Sequence, residues 1–141
     1  MKILLAVDGS TYSKKMLAYL ATHEGIFSTA NNDYTVFTAQ AALPTRARAV
    51  VGKEVVDNYY AEESEKVMAP VTKFLLRHGI HAKTLWKVGN AGELIGKLAE
   101  DGEFDMVVMG SHGHGAWANL VMGSVATQVM AHCTVPVLMV R

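Results

Sequence analysis

The sequence predicts an α/β fold: a five-stranded, mostly parallel, doubly wound sheet ordered 3-2-1-4-5, with helices on both faces. Three observations predict it. Short apolar, β-branched runs alternate along the chain with longer segments of helical periodicity. The first run, residues 2–7 (KILLAV), is apolar without any polar alternation, as a strand covered on both faces requires. Turn-forming clusters, Asp8-Gly9-Ser10 and Asn31-Asn32-Asp33 among them, fall where one element must give way to the next.

Taken in order, residues 2–7 form the first strand. Ser10 or Thr11 then stands where a side-chain oxygen can cap a helix to about His23, with Met16, Leu17, Leu20 and Ala21 at helical spacing. A second strand is read at 34–40, and residues 41–52 are read as a loop. A long helix runs from Lys53 to about His78, with Val56, Tyr60, Val67, Val71 and Leu75 on one side. Pro70 inside it predicts a kink or a break, and Gly79 its C-terminal stop. A strand at 81–88, a helix at 91–100 and a strand at 105–109 follow. A glycine-rich loop leads into a helix from about Gly123 to Ala131, and the closing strand runs from Val135 to Val140.

With right-handed crossovers this order gives a flavodoxin-like sheet, whose ligand crevice lies at the carboxyl ends of strands 1 and 4. That geometry singles out two loops in advance, Asp8-Gly9-Ser10 and the one beginning at Gly110. Neither repeats nor low-complexity linkers interrupt the pattern, so residues 1–141 are read as one domain.

Thirteen basic residues balance thirteen acidic ones, for a formal net charge of zero. That balance argues against a nucleic-acid binder, and Arg46 and Arg48 read as a solvated loop. The apolar runs are strand-sized, far short of the ~20 residues of a membrane span. Met1-Lys2 leads directly into a strand without the layout of a signal peptide. A single cysteine, Cys133, is read as packing, and a reducing cytoplasmic setting is expected.

The densest chemical signal is the stretch from Gly110 to Ser124. Gly110, Gly113 and Gly115 lie within six residues, which suggests backbone at positive φ and close approach to a ligand. Gly123-Ser124 opens a helix, whose free amides and dipole favour an anion. Strand, glycine loop and helix N-terminus together make a phosphate cradle. It is not one of the two common kinds. The glycines read G-x-x-G-x-G rather than G-x-G-x-x-G, and Ala116-Trp117 stands where a P-loop carries Lys and Ser/Thr.

The pattern Gly110-x2-Gly113-x9-Gly123-Ser124 is similar to G-2x-G-9x-G-[S/T], the signature of the ATP-binding branch of the universal stress protein family. The opening KILLAVDGS, the approach FDMVVMGSHG and the closing VPVLMVR resemble that family as well. The resemblance implies an adenine nucleotide alpha hydrolase-like version of the fold, binding ATP, ADP or AMP in the cytoplasm. It places Ala6, Val7 and Asp8 at the adenosine end and Ala39 beside the adenine. Met109, Gly110, Ser111, His112 and Gly113 would line the ribose and phosphates, and Gly123, Ser124 and Val125 would meet the phosphates. Mg²⁺ or Mn²⁺ would accompany the nucleotide. Family members commonly dimerise, which implies a homodimer through the closing strand, a hydrophobic sheet edge. Departures from the family are the histidines flanking Gly113, the bulky Gly115-Ala116-Trp117, and Asn90-Ala91 where many members carry a proline after the counterpart of Gly89.

Several residues have two readings. Asp8 is either a ligand contact or metal partner, or the cap of its own turn. His112 is either a phosphate contact or an exposed loop histidine, and His114 is read as exposed. Trp117 and Met122 are read as packing against the domain or a neighbouring subunit. The missing lysine points to a regulatory nucleotide binder with slow hydrolysis at most. Its rivals are an ATP hydrolase or nucleotide-dependent transferase assisted by His112 or Asp8, and a nucleotide-free dimeric interaction module.

Overall fold

The computed structural model describes residues 1–114 and 122–141. Five parallel strands form one sheet in the order β3-β2-β1-β4-β5: β1 is Lys2–Ala6, β2 Asp33–Gln40, β3 Lys83–Val88, β4 Met106–Gly110 and β5 Val137–Val140. The expected order and parallel pairing are observed. β1 lies at the centre because both of its faces are apolar. Leu5 pairs with Val36 on one side and Val108 on the other.

Side chains of a strand alternate between faces, and here the alternation sorts the core into two layers. Ile3, Leu5 and Val7 point into one layer with Met16, Leu17 and Leu20 of α1 (Thr11–Thr22) and Met68, Val71 and Leu75 of α4 (Lys53–Arg77). Leu4 and Ala6 point into the other with Ile95 and Ala99 of α5 (Ala91–Asp101) and Ala126 and Val129 of α6 (Ser124–His132). Ile3, Leu4 and Leu5 are completely buried, each contributing about 1.5–3 kcal/mol of burial. This explains the unbroken KILLAV run.

Several local expectations are corrected. Residues 41–52 are not all loop, since α3 spans Thr45–Val51 before Gly52, at φ +83°, turns the chain into α4. None of its seven residues is buried, so α3 carries no apolar stripe for a periodicity argument to detect. A short α2 (Glu24–Phe27) and a 3₁₀ turn (Thr29–Asn31) precede β2, and α2 buries Phe27. Pro70 does not break α4, which continues through it. Pro70 is exposed, so its ring lies on the solvent side of the helix. Gly79, at φ +74°, ends α4 as expected: its amide donates to Leu76 O, and Ile80 N donates to Leu75 O. β5 begins at Val137 rather than Val135, because Pro136 has no amide to donate, though its carbonyl accepts from Val107 N. Among the described residues no helix is long and apolar enough to cross a membrane.

Candidate functional site

At the carboxyl ends of β1 and β4, the two strands flanking the switch point, the structure holds a cleft of about 550 Å³. That volume is in the range of small-molecule sites. All twelve residues singled out from the sequence border it: Ala6, Val7, Asp8, Ala39, Met109, Gly110, Ser111, His112, Gly113, Gly123, Ser124 and Val125. Six more line it that sequence reasoning missed: Ser13, Phe37, Ala91, Ile95, His114 and Ala126. Period-2 alternation from Ala39 would have found Phe37, and the i,i+4 pair Ala91 and Ile95 follows from helical spacing. Nothing in the local pattern marks Ser13 or His114.

The cleft has an apolar end and a polar end. Ala6, Phe37, Ile95 and Met109 belong to the α5–α6 core layer, with Ala39 and Ala91 packed against it. These six make a wall suited to a flat apolar group. Ala91 stands there because α5 starts beside it, capped by Asn90, whose Oδ1 accepts from Glu93 N at 3.0 Å. Asn90 therefore supplies the helix cap.

At the polar end, Asp8 caps its own turn. Its Oδ1 accepts from Ser10 N at 2.9 Å and from Ser13 Oγ at 2.9 Å, while Asp8 N donates to Ser13 Oγ at 3.1 Å. Its other oxygen, Oδ2, faces Gly113. Ser111 is buried, and its amide donates to Val140 O at 2.8 Å, prolonging the β4–β5 ladder by one rung. Its hydroxyl shares a 2.8 Å hydrogen bond with His112 Nδ1, and the His112 ring lies tilted against Tyr12 at 4.9 Å. His114 is exposed as expected, but it is engaged: its Nε2 donates to the Asp8 carbonyl at 2.8 Å.

The positive φ expected of the loop glycines is not found at Gly110 or Gly113, since among the described residues the positive-φ glycines are Gly9, Gly52, Gly79 and Gly89. Space explains these two, and Gly123, instead. A Cβ on Gly110 would stand 2.6 Å from Tyr12 Cβ and 2.9 Å from Tyr12 C. On Gly113 it would stand 2.6 Å from Asp8 Oδ2, and on Gly123 3.1 Å from His112 Cα. Gly110 is thus required by the packing of α1, and Gly113 by the closeness of the two loops. Gly115, Ala116 and Trp117 lie outside the described residues, whereas Met122 packs against the α5–α6 layer as expected.

α6 opens at this polar end. Gly123 is its N-cap, with no side-chain hydrogen bond, and Gly123 N donates to Ser111 O at 2.7 Å. The amides of Ser124, Val125 and Ala126 have no acceptor within the helix. They bring the positive end of the helix dipole to the cleft. Among the described residues no group of three His, Cys, Asp or Glu side chains could by itself hold a metal ion.

The profile of the universal stress protein family matches residues 1–141, the whole of the chain. The chain belongs to the universal stress protein family. A universal stress protein of Synechocystis is 31% identical over 140 residues, covering 99% of this chain and 42% of that relative. One from Methanocaldococcus jannaschii is 36% identical over 84 residues, covering 60% of this chain and 52% of the relative. The chain spans about half the length of these two curated relatives. Among solved structures, the M. jannaschii protein superposes with a TM-score of 0.81 at 28% identity, covering 99% of this chain and 94% of that one. A family member from Arabidopsis thaliana with AMP bound has a TM-score of 0.68 at 14% identity, covering 99% and 90% of the two chains. A universal stress protein in complex with cAMP has a TM-score of 0.63 at 20% identity, covering 100% and 96%. The last two likenesses are of fold.

Proposed function

We propose that the cleft binds an adenine nucleotide, ATP foremost, and that this family member acts as a nucleotide-responsive regulator in a stress response. The observation that carries the reading is the meeting of two unlike ends in one cleft. An apolar wall of Ala6, Phe37, Ala39, Ala91 and Ile95 faces a polar end built from residues 110–113 and the uncapped start of α6. An adenine suits the first and a phosphate chain the second. The AMP-bound and cAMP-bound structures of proteins with this fold support the same reading.

A divalent cation, Mg²⁺ or Mn²⁺, fits the donor set as a companion of the phosphates rather than as a resident ion. Asp8 Oδ2 would be its one carboxylate oxygen from the protein, and Mg²⁺ is commonly held by one or two carboxylates plus substrate phosphates. The cation would neutralise phosphate charge that the amides alone leave unbalanced. Hydrolysis would be slow or absent, because no Lys or Arg is among the described residues lining the cleft. The rival hydrolase or transferase reading assigns His112 or Asp8 an assisting role, and single-turnover hydrolysis separates the two. We further propose that residues 1–141 make one domain, working in the cytoplasm as a homodimer paired through β5. That edge strand is only half-buried along all four residues, Val137–Val140, which supports pairing with a second copy. Light scattering after size exclusion tests the dimer.

The deciding experiment is mass spectrometry of ligand released from freshly purified protein, with calorimetric titration of ATP, ADP and AMP in Mg²⁺. The expected result is an adenine nucleotide recovered intact and saturable binding. No released nucleotide, together with no binding heat, would overturn the proposal in favour of a nucleotide-free interaction module.

A further inference from the structure

We infer that His114 is a positioning residue, whose imidazole latches residues 112–114, at the polar end of the cleft, onto the β1–α1 turn. Its role as a determinant of nucleotide retention rests on the adenine-nucleotide reading above. The latch joins residues 106 positions apart in sequence, through the 2.8 Å bond from His114 Nε2 to Asp8 O. A carbonyl oxygen only accepts, so Nε2 carries the hydrogen. Both residues line the cleft, which places this bond at its rim.

Each end of the latch is anchored. The Asp8 turn is held by the hydrogen bonds of its carboxylate to Ser10 N and Ser13 Oγ, so it is a fixed post. On the other side the loop is tied at its root, where Ser111 N meets Val140 O and Gly123 N meets Ser111 O. Gly113 lies between root and tip, so close to Asp8 that an added Cβ would stand 2.6 Å from Oδ2. With the His114 bond, residues 112–113 are held at both ends, and their amides keep one spacing from Asp8. Loss of that bond removes one tie on the far side of residues 112–113, so less of their spacing from Asp8 is fixed before a phosphate binds. The glycine signature leaves position 114 unspecified, so the latch is made by a residue outside the motif.

The test uses the whole protein with two substitutions, His114→Ala and His114→Gln, the glutamine amide being able to donate to the same carbonyl. In nucleotide-free protein, the carbonyl carbon resonance of Asp8 reports the bond directly. We expect it to shift in His114→Ala and to return towards its original position in His114→Gln. With a fluorescent adenine nucleotide and Mg²⁺, dissociation is expected to be about 3- to 10-fold faster in His114→Ala, the loss of one ordinary hydrogen bond. The association rate should stay within about twofold, and His114→Gln should recover most of the loss.

An unmoved Asp8 resonance in His114→Ala overturns the latch, whatever the nucleotide does. A shifted resonance with unchanged dissociation overturns the positioning role. If the original protein binds no adenine nucleotide while the resonance shifts and is rescued, the nucleotide reading and the retention role fall together and the latch itself stands.

Discussion

Helices α1 and α6 both begin at the rim of the same cleft, on opposite sides of the β1–β4 switch point, yet their first turns are finished in opposite ways. α1 is closed by side chains: Ser10 Oγ accepts from Ser13 N at 3.3 Å, and Asp8 Oδ1 takes Ser10 N and the Ser13 hydroxyl. α6 begins at Gly123, which has no side chain to give, and the residues that follow it, Ser124, Val125 and Ala126, line the cleft. One terminus spends its donors on the fold; the other has no side-chain cap. Two adjacent helix ends with the same dipole therefore differ in what stands at the cap.

The comparison can be broken at its glycines. Gly113→Val, which drives a side chain into Asp8 Oδ2, and Gly123→Val, which crowds His112 Cα, are expected to weaken ATP binding by more than about 100-fold in calorimetry. Far-ultraviolet dichroism should report a retained fold in both. If both variants bind as the original protein does, the α6 side is not the phosphate side. Gly110→Ala should do the reverse. Its Cβ would meet the Tyr12 backbone at the start of α1, so a destabilisation of about 1–3 kcal/mol is expected in urea titration.

Two milder substitutions sharpen the contrast. Ser10→Ala removes the α1 cap and should lower stability by about 1 kcal/mol, with nucleotide affinity nearly unchanged. Equal losses of affinity for Ser10→Ala and Gly123→Val would erase the distinction between the two ends. Ser124→Ala, on the exposed first residue of α6, should leave the melting temperature in place. It should cost affinity only a few-fold, the value of one hydroxyl hydrogen bond, because the amides remain.

Much of this was legible from local pattern. The unbroken apolar run at Ile3, Leu4 and Leu5 announces a central strand, and the alternation of strands with helices leads to the sheet order and thus to the switch point. Gly79 is readable as a stop because the chain must turn there. Elsewhere the pattern was silent. α3 has no buried side chain, so no stripe exists to read, and the tolerance of α4 for Pro70 depends on which side of the helix faces solvent. His114 looked like any exposed loop residue, since its partner Asp8 is 106 positions away.

The order of the five strands and their parallel pairing follow from the sequence, because periodicity and turn chemistry act over a few residues at a time, and the twelve cleft residues follow from motif and resemblance. Only the tertiary structure decided why the loop glycines are glycines, since the atoms that exclude a Cβ at Gly110 and Gly113 come from Tyr12 and Asp8, about a hundred residues earlier in the chain. The same distance hid the pairing of His114 with Asp8 until the strands were paired. Excluded volume and hydrogen bonds across the cleft are properties of packed surfaces, and those exist only once the sheet has brought β1 and β4 together.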